Sequence, residues 1–250
     1  MLVLLPPSEG KATGGDGPPL DLDGLSFPEL TAVRRRLVDA VQRLARRVPA
    51  DLQAALGLSP GQAGLVQADA ELTTSPTLPA MRRYTGVVYD TLDYATLHGP
   101  ARRRANASLV VTSALFGLVR PRDMVPAYRL SGGTALPGLG GLASLWRPAL
   151  EPLLAAERGL VIDLRSGAYA ALARVPHAVQ VRVLREHDGR RTVVSHDNKW
   201  TKGHLARALC EHGAASVRAV AELGETVADT VEVEGRRIDL VLRGLASART

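Results

Sequence analysis

Apolar residues along the chain follow two rhythms. Leu2–Leu5 is a short continuous apolar run ended by Pro6-Pro7, the pattern of a strand buried on both faces. Ser108–Thr112 and Leu160–Leu164 repeat it. Val179–Leu184 and Thr192–Ser195 alternate with a period of two across an Asp188-Gly189 turn, and Val231–Val233 and Ile238–Leu242 face each other across Glu234-Gly235. The helical rhythm is clearest at Leu30, Val33, Leu37, Val41 and Leu44, spaced by three and four. Ser26-Phe27-Pro28-Glu29 reads as a capping box opening that helix, and Pro49 stops it. Further helices are predicted from Ser59-Pro60, over Ala80–Leu97 (Met81, Tyr84, Val88 and Leu92 on one face), over Leu142–Ala156 around Trp146, briefly around Tyr169, over Lys199–His212 and over Ser216–Leu223. Ser75–Pro79 reads as a loop, and Ser113–Gly133 has no clean period.

Strands and helices interleave throughout. The expectation is an α/β (mixed α+β) protein, one compact domain over residues 1–250, with a central mixed sheet flanked by helices. No linker-like stretch divides the chain, so its 250 residues are read as one domain rather than two.

Composition narrows the class. With 46% hydrophobic residues, 22% charged residues and 16 prolines the chain is neither disordered nor a coiled coil. Its single cysteine, Cys210, excludes an internal disulfide and any Cys-based zinc or iron–sulfur site. His196, His204 and His212 are spaced too widely to converge on one ion, so no metal is expected, and no cofactor. Neither a G-x-x-x-x-G-K-[ST] loop nor a G-x-S-x-G elbow is present. Met1–Leu5 is too short for a signal peptide, and no apolar run approaches the roughly 18 residues of a spanning helix. The expectation is a soluble, cytoplasmic protein with no membrane partner.

The net charge of +6 comes from 31 basic residues, of which only Lys11, Lys199 and Lys202 are lysines. Where arginine is made so freely, those three lysines draw attention, because a compact ammonium suits chemistry or a tight small-anion fit. The arginines of the first helix (Arg34, Arg35, Arg36, Arg43, Arg46, Arg47) either neutralise phosphates or form a solvated face. Leu136–Gly140 has the look of a helix-hairpin-helix turn, or of an ordinary loop before a helix.

Two segments carry more chemistry than a bland loop requires. Ser113–Leu130 follows a strand, where α/β proteins present their sites. It offers Arg120 and Arg129 for anions, with Asp123 and Tyr128 to orient them or move a proton. Asn198–Arg207 places Lys199, Lys202 and Arg207 near the first turns of a helix, against the macrodipole, which suggests an anionic partner or ion pairs from elsewhere in the fold.

At these segments the chain resembles the YaaA family of peroxide stress proteins. Ser113, Leu115, Gly117, Arg120, Pro121, Asp123, Tyr128, Arg129 and Leu130 match the family's long pattern, with departures at Ala114, Pro126-Ala127 and Ser131-Gly132. Lys199, Lys202, Gly203 and Arg207 match its K-x-x-R/K-G helix start. Pro7-Ser8, Gly86–Tyr89, Trp146, and Leu164, Ser166 and Tyr169 extend the likeness along the chain. Family members place a lysine directly after the first loop's P-A; here Glu9 stands there and Lys11 follows two later.

The resemblance implies a family-specific fold, a positively charged cleft, binding of double-stranded or distorted DNA, and limitation of iron-driven damage under hydrogen peroxide. It also points to Asp51–Leu72 as the stretch where some members carry a helix-hairpin-helix. The expected anion- or DNA-binding set is Lys11, Arg120, Arg129, Ser166, Lys199, Lys202 and Arg207. The partner is double-stranded DNA or a phosphate-bearing small molecule. The alternative to a DNA-binding protein is an enzyme acting on a nucleotide, nucleoside or nucleic-acid base. In that reading Lys199 or Lys202 forms an imine or steadies a leaving group, Asp123 is the base and Tyr128 the acid. An enclosed pocket favours the enzyme, an open groove the duplex.

Overall fold

The computed structural model describes residues 1–243. Its strands are β1 (Leu2–Leu5), β2 (Leu78–Pro79), β3 (Leu109–Ser113), β4 (Gly117–Val119), β5 (Met124–Val125) and β6 (Ala135–Leu136). They continue with β7 (Gly140–Gly141), β8 (Val161–Asp163), β9 (Val179–His187), β10 (Arg190–Thr192), β11 (Thr230–Glu234) and β12 (Arg237–Arg243). The main sheet runs β11-β12-β9-β8-β1-β3-β4, with β10 added to β9. Strands β12, β9, β8, β1 and β3 are mutually parallel, and the antiparallel members β11, β10 and β4 are added by hairpins or tight returns.

The apolar runs become the strands they were expected to be, because each is buried along its whole length. β1, β3 and β8 lie at the centre with every residue inside. β9 alternates buried and exposed at its start, as its period of two requires. The predicted hairpins form at Asp188-Gly189 and Gly235, all at positive φ, although the first return strand ends at Thr192.

The helices are α1 (Thr31–Arg47), α2 (Pro49–Ala55), α3 (Gly64–Ala70), α4 (Ala80–Arg83) and α5 (Val87–Leu92). They continue with α6 (Gly99–Ser108), α7 (Leu142–Ala155), α8 (Gly167–Ala170), α9 (Ser195–His212) and α10 (Val217–Gly224). Helices α1, α2, α3 and α7 pack among themselves, as do α5, α6, α9 and α10, and the helices flank the sheet.

Several expectations are corrected. The helix over Ala80–Leu97 is broken into α4, α5 and a single 3-10 turn at Tyr94–Thr96. The break lies where Tyr84 turns extended to pair with Lys11 and Gly86 sits at φ 92°. Ser26 does not cap α1: its hydroxyl donates to Asp123 Oδ1 at 2.7 Å, and Phe27 adopts a left-handed φ of 62°. From Ser59-Pro60 a 3-10 turn comes first, with Gln62 Oε1 accepting the Ser59 N–H at 3.0 Å, and the α-helix starts only at Gly64. Helix α9 starts at Ser195, not Lys199, so Lys199 and Lys202 stand one and two turns inside it. At that depth the two cations feel little of the macrodipole, whose field fades within the first turn, so they do not oppose it as expected.

Arg34, expected on the outer face of α1, is fully buried. It donates to the carbonyls of Phe116 (2.9 Å), Ser26 (2.7 Å) and Leu118 (2.8 Å), tying α1 to the loop and strand after β3. Trp146 is core, as its place on the apolar face of α7 implies. Its ring fills the space over Gly117 and its indole N–H donates to Ala114 O at 2.8 Å.

Candidate functional site

Parallel β1 and β8 end on the same edge of the sheet, and the loops Pro6–Lys11 and Leu164–Ser166 leave from there. The chain passes from β1 to β3 on one side of β1, while β8, β9 and β12 lie on the other. The gap between β1 and β8 is thus a topological switch point, the place where open α/β sheets form ligand crevices.

A cavity of about 410 Å³ opens there. Its walls are the Pro6–Gly10 loop, Leu164 and Ser166 after β8, Tyr169 of α8, the Thr85–Tyr89 turn, and Ser195, Asn198, Lys199 and Lys202 of α9. That volume suits a nucleotide-sized molecule.

Each wall is held by specific bonds. Tyr89 Oη donates to Pro6 O at 2.8 Å, and the Thr85 N–H donates to Ser8 Oγ at 3.0 Å, so the first loop is pinned to the turn before α5. The loop after β8 is braced by a buried ion pair: Asp163 Oδ1 accepts from Arg165 Nε (2.9 Å) and Oδ2 from its Nη2 (2.7 Å). Those bonds hold the Asp163 carboxyl below the usual range, although burial alone would raise it. Gly203 brings α9 against α5: a Cβ there would lie 2.6 Å from the Val88 carbonyl oxygen and 1.8 Å from Thr91 Oγ1. That close approach lays the lysines of α9 along the cavity.

Lys202 is buried and donates to Arg165 O at 3.3 Å. Burial lowers its pKa to about 8, against the opposing pull of Asp163. Lys199 is exposed at the same wall. Asn198 Oδ1, also in this wall, is buried and has no hydrogen-bond partner among the described residues.

Behind the Pro6–Gly10 loop lies a second group of polar residues. Lys11 Nζ donates to Ser8 O (3.1 Å) and Glu9 O (3.4 Å) and sits 4.1 Å from the centre of the Tyr128 ring. Burial, with the Arg129 guanidinium nearby, lowers its pKa to about 7. Asp69 of α3 is fully buried; Oδ1 accepts the Arg129 N–H at 2.8 Å and Oδ2 has no partner among the described residues. Burial raises that carboxyl to about 7 despite the backbone bond and the nearby Lys11 charge. Tyr128 Oη shares hydrogen bonds with Ser113 Oγ (2.8 Å) and Tyr84 Oη (3.0 Å), and burial raises its pKa well above normal, so it is a neutral phenol at ordinary pH. Arg129 reaches across to Glu9, Nη2 to Oε2 at 3.1 Å, which joins this group to the cavity's rim.

The expected residues therefore divide. Ser166, Lys199 and Lys202 line the cavity, and Lys11, Tyr128 and Arg129 form the group behind its first loop. Asp123, Arg120 and Arg207 line neither. Asp123 accepts from Ser26 and from the Arg120 N–H at 2.9 Å, closing the turn after β4, so its carboxylate is engaged in holding that turn, away from the cavity. Arg120 donates to Ala107 O and lies over the Phe27 ring. Arg207 donates to the carbonyls of Leu92 and Asp93 and bridges Glu211 at 2.9 Å. The Leu136–Gly140 segment is a two-strand turn ahead of α7, with Gly138 and Gly140 at positive φ, and it lies outside the cavity wall.

Sequence reasoning missed Asp69 and Asn198. Asp69 stands three residues after buried Val66 and beside buried Ala70, so the helical period of α3 placed a carboxylate on the inward face. Asn198 is one of two asparagines and adjoins Lys199, but nothing in the pattern pointed its side chain inward.

The fold and site describe a mixed α/β protein with a lysine-lined cavity at the sheet's switch point. The family model of the peroxide stress protein YaaA matches residues 1–227. A UPF0246 protein of Corynebacterium efficiens is 46% identical over 97% of this chain and 99% of its own, and one of Streptomyces coelicolor is 45% identical over 95% of each. A more distant UPF0246 protein, from a Marinomonas species, is 29% identical over 76% of this chain and 78% of its own. The chain belongs to the YaaA (UPF0246) family of peroxide stress proteins.

Proposed function

We propose that the protein serves the peroxide stress response by taking a phosphate-bearing nucleotide unit, free or within nucleic acid, into the cavity between the Pro6–Gly10 loop and α9. The observation that carries this reading is Lys202: a buried ammonium at a switch-point cavity, with only a backbone carbonyl as its hydrogen-bond partner among the described residues. A buried cation without a bonded carboxylate is costly unless an anion arrives to pair with it. Lys199 adds a second charge at the rim. If the protein acts chemically on the ligand, Lys202, buried in the cavity wall, is the group placed against it.

The test is thermal melting at pH 7 against a panel of nucleoside phosphates and sugar phosphates. A ligand at a hundredfold its Kd stabilises by about 2.7 kcal/mol. At least one member is expected to shift the wild type, and Lys202→Met to abolish that shift. A panel without effect, or an equal shift in the variant, overturns the reading.

Duplex DNA as a partner rests on separate features, the net charge of +6 and the exposed Arg36, Arg43 and Arg47 of α1. A cavity of about 410 Å³ admits a nucleotide rather than a duplex, so a duplex would lie on the surface. Protection of DNA from iron-driven oxidation is the cellular outcome expected of that binding.

A further inference from the structure

Ser195, Asn198, Lys199 and Lys202 lie on successive turns of one face of α9, and all four line the cavity. That face carries two of the three lysines among the chain's 31 basic residues. A cavity built only to hold phosphate is better served by arginine, whose planar fork bonds two oxygens at once. An amine can do what a guanidinium cannot: lose its proton and attack a carbonyl carbon.

Lys202 is placed for that attack. Its Nζ makes one hydrogen bond among the described residues, donated to Arg165 O at 3.3 Å, and a neutral amine keeps its lone pair after that bond is made. Burial lowers its pKa to about 8, so a share of the amine is neutral and nucleophilic at ordinary pH. The groups around it suit an open-chain sugar phosphate. Lys199 is exposed at the cavity wall, where it can hold a phosphate. The buried Asn198 Oδ1, without a partner among the described residues, can accept from a sugar hydroxyl. The remaining lysine, Lys11, is engaged with the Ser8 and Glu9 carbonyls behind the first loop.

We propose that Lys202 forms an imine with a sugar phosphate that bears a free carbonyl, the baseless counterpart of a nucleotide. The inference rests on the phosphate reading of this cavity and narrows its ligand to a carbonyl compound. The Nζ lone pair adds to the carbonyl carbon and the C=O π pair moves to oxygen, which gains a proton as nitrogen loses one. The carbinolamine is then protonated on its hydroxyl and expels water, and the nitrogen lone pair closes the C=N bond. One proton is taken up and one water released, with no oxidant or reductant. Solvent at the exposed Lys199 and Ser195 carries the protons. The protonated imine keeps a positive charge at the buried nitrogen, and the ligand's phosphate offsets it.

The experiment treats the full chain at pH 8 with 2-deoxyribose 5-phosphate and sodium cyanoborohydride, which reduces the C=N bond to a stable amine. Peptide mass spectrometry then reads the site, because only three lysines and the amino terminus compete. Lys202 is expected to react roughly tenfold faster than Lys11, Lys199 or the amino terminus, and roughly tenfold faster than it does with unphosphorylated 2-deoxyribose. Lys202→Arg is expected to lose the adduct; the wild-type map decides the matter even where that variant fails to fold. Labelling spread evenly over the amines, equal labelling by the unphosphorylated sugar, or an undiminished adduct in Lys202→Arg overturns the proposal. Inorganic phosphate and thymidine monophosphate, which offer no aldehyde or ketone, report on the underlying reading by thermal melting. If no phosphate compound shifts the wild type and no adduct forms, the phosphate reading falls as well; if they shift it and Lys202 stays unlabelled, only this inference falls.

Discussion

At Lys202 one buried charge would link the stability of the fold to the proposed anion binding. Its pKa is lowered to about 8 in the folded chain against 10.5 in the unfolded one, so between those values the unfolded state binds more protons and stability rises with pH. Below about pH 8 the buried ammonium costs the fold on the order of 3 kcal/mol. Lys202→Met is therefore expected to raise the melting temperature at pH 7 while removing anion binding. In the wild type, affinity for a phosphate ligand should fall as pH rises through about 8 and the ammonium loses its proton. Asp69 and Lys11 behave as opposites around neutrality. The carboxyl, raised from 3.8 to about 7, makes stability fall as pH climbs through that range. The amine, lowered from 10.5 to about 7, makes stability rise from there upward. Their combined contribution is smallest near pH 7. Asp69→Asn keeps an oxygen for the Arg129 N–H and should flatten the fall between pH 4 and 7 in urea melts, leaving the rise above 7.

At the scale of elements, α9 matters most, and Gly203 fixes where it sits. A methyl at Gly203 would drive into the Val88 carbonyl and the Thr91 hydroxyl, forcing α9 away from α5. Overpacking of this kind costs about 1–3 kcal/mol, and here it also moves Lys199 and Lys202 from the cavity wall. Gly203→Ala should lower both the denaturation midpoint and ligand affinity, whereas Ala206→Gly on the same helix should lower stability alone. Arg34 plays the matching part for α1. Replacing it by Leu strands the carbonyls of Phe116, Ser26 and Leu118, each at about 1–3 kcal/mol, so a loss of at least 3 kcal/mol in chemical denaturation is expected. These two elements also show where the pattern was legible. The helical period located α1 and most of α9, but a burial period cannot say that Arg34 will find three carbonyls, nor that Gly203 is a contact surface rather than a weak point. The break at Tyr84-Thr85-Gly86 escaped the pattern because Met81, Tyr84, Val88 and Leu92 keep helical spacing although Tyr84 is extended and reaches the core from a strand-like pairing with Lys11.

For the whole molecule, charge and topology divide the work. The net charge of +6 attracts polyanions at long range, while the switch between β1 and β8 decides where a ligand can be enclosed. Arg36→Gln/Arg43→Gln/Arg47→Gln removes three exposed charges from α1. In filter binding it should weaken any duplex association and reduce its salt slope by about 0.9 per lost contact, leaving nucleotide binding in the cavity as it was. If duplex affinity does not change, the α1 face takes no part. The sequence by itself determined the class of fold, the central apolar strands, the hairpins and the family, because burial on both faces and alternation on one leave direct marks on residue order. It also singled out Lys199 and Lys202, two of only three lysines, and Ser166 after a strand, all of which line the cavity. Only the tertiary structure decided that Asp123 closes a turn, that Asp69 and Lys11 share a buried neighbourhood, and that Arg34 belongs to the core. Those outcomes depend on which groups from distant segments desolvate one another, and the order of residues along the chain records no such distances.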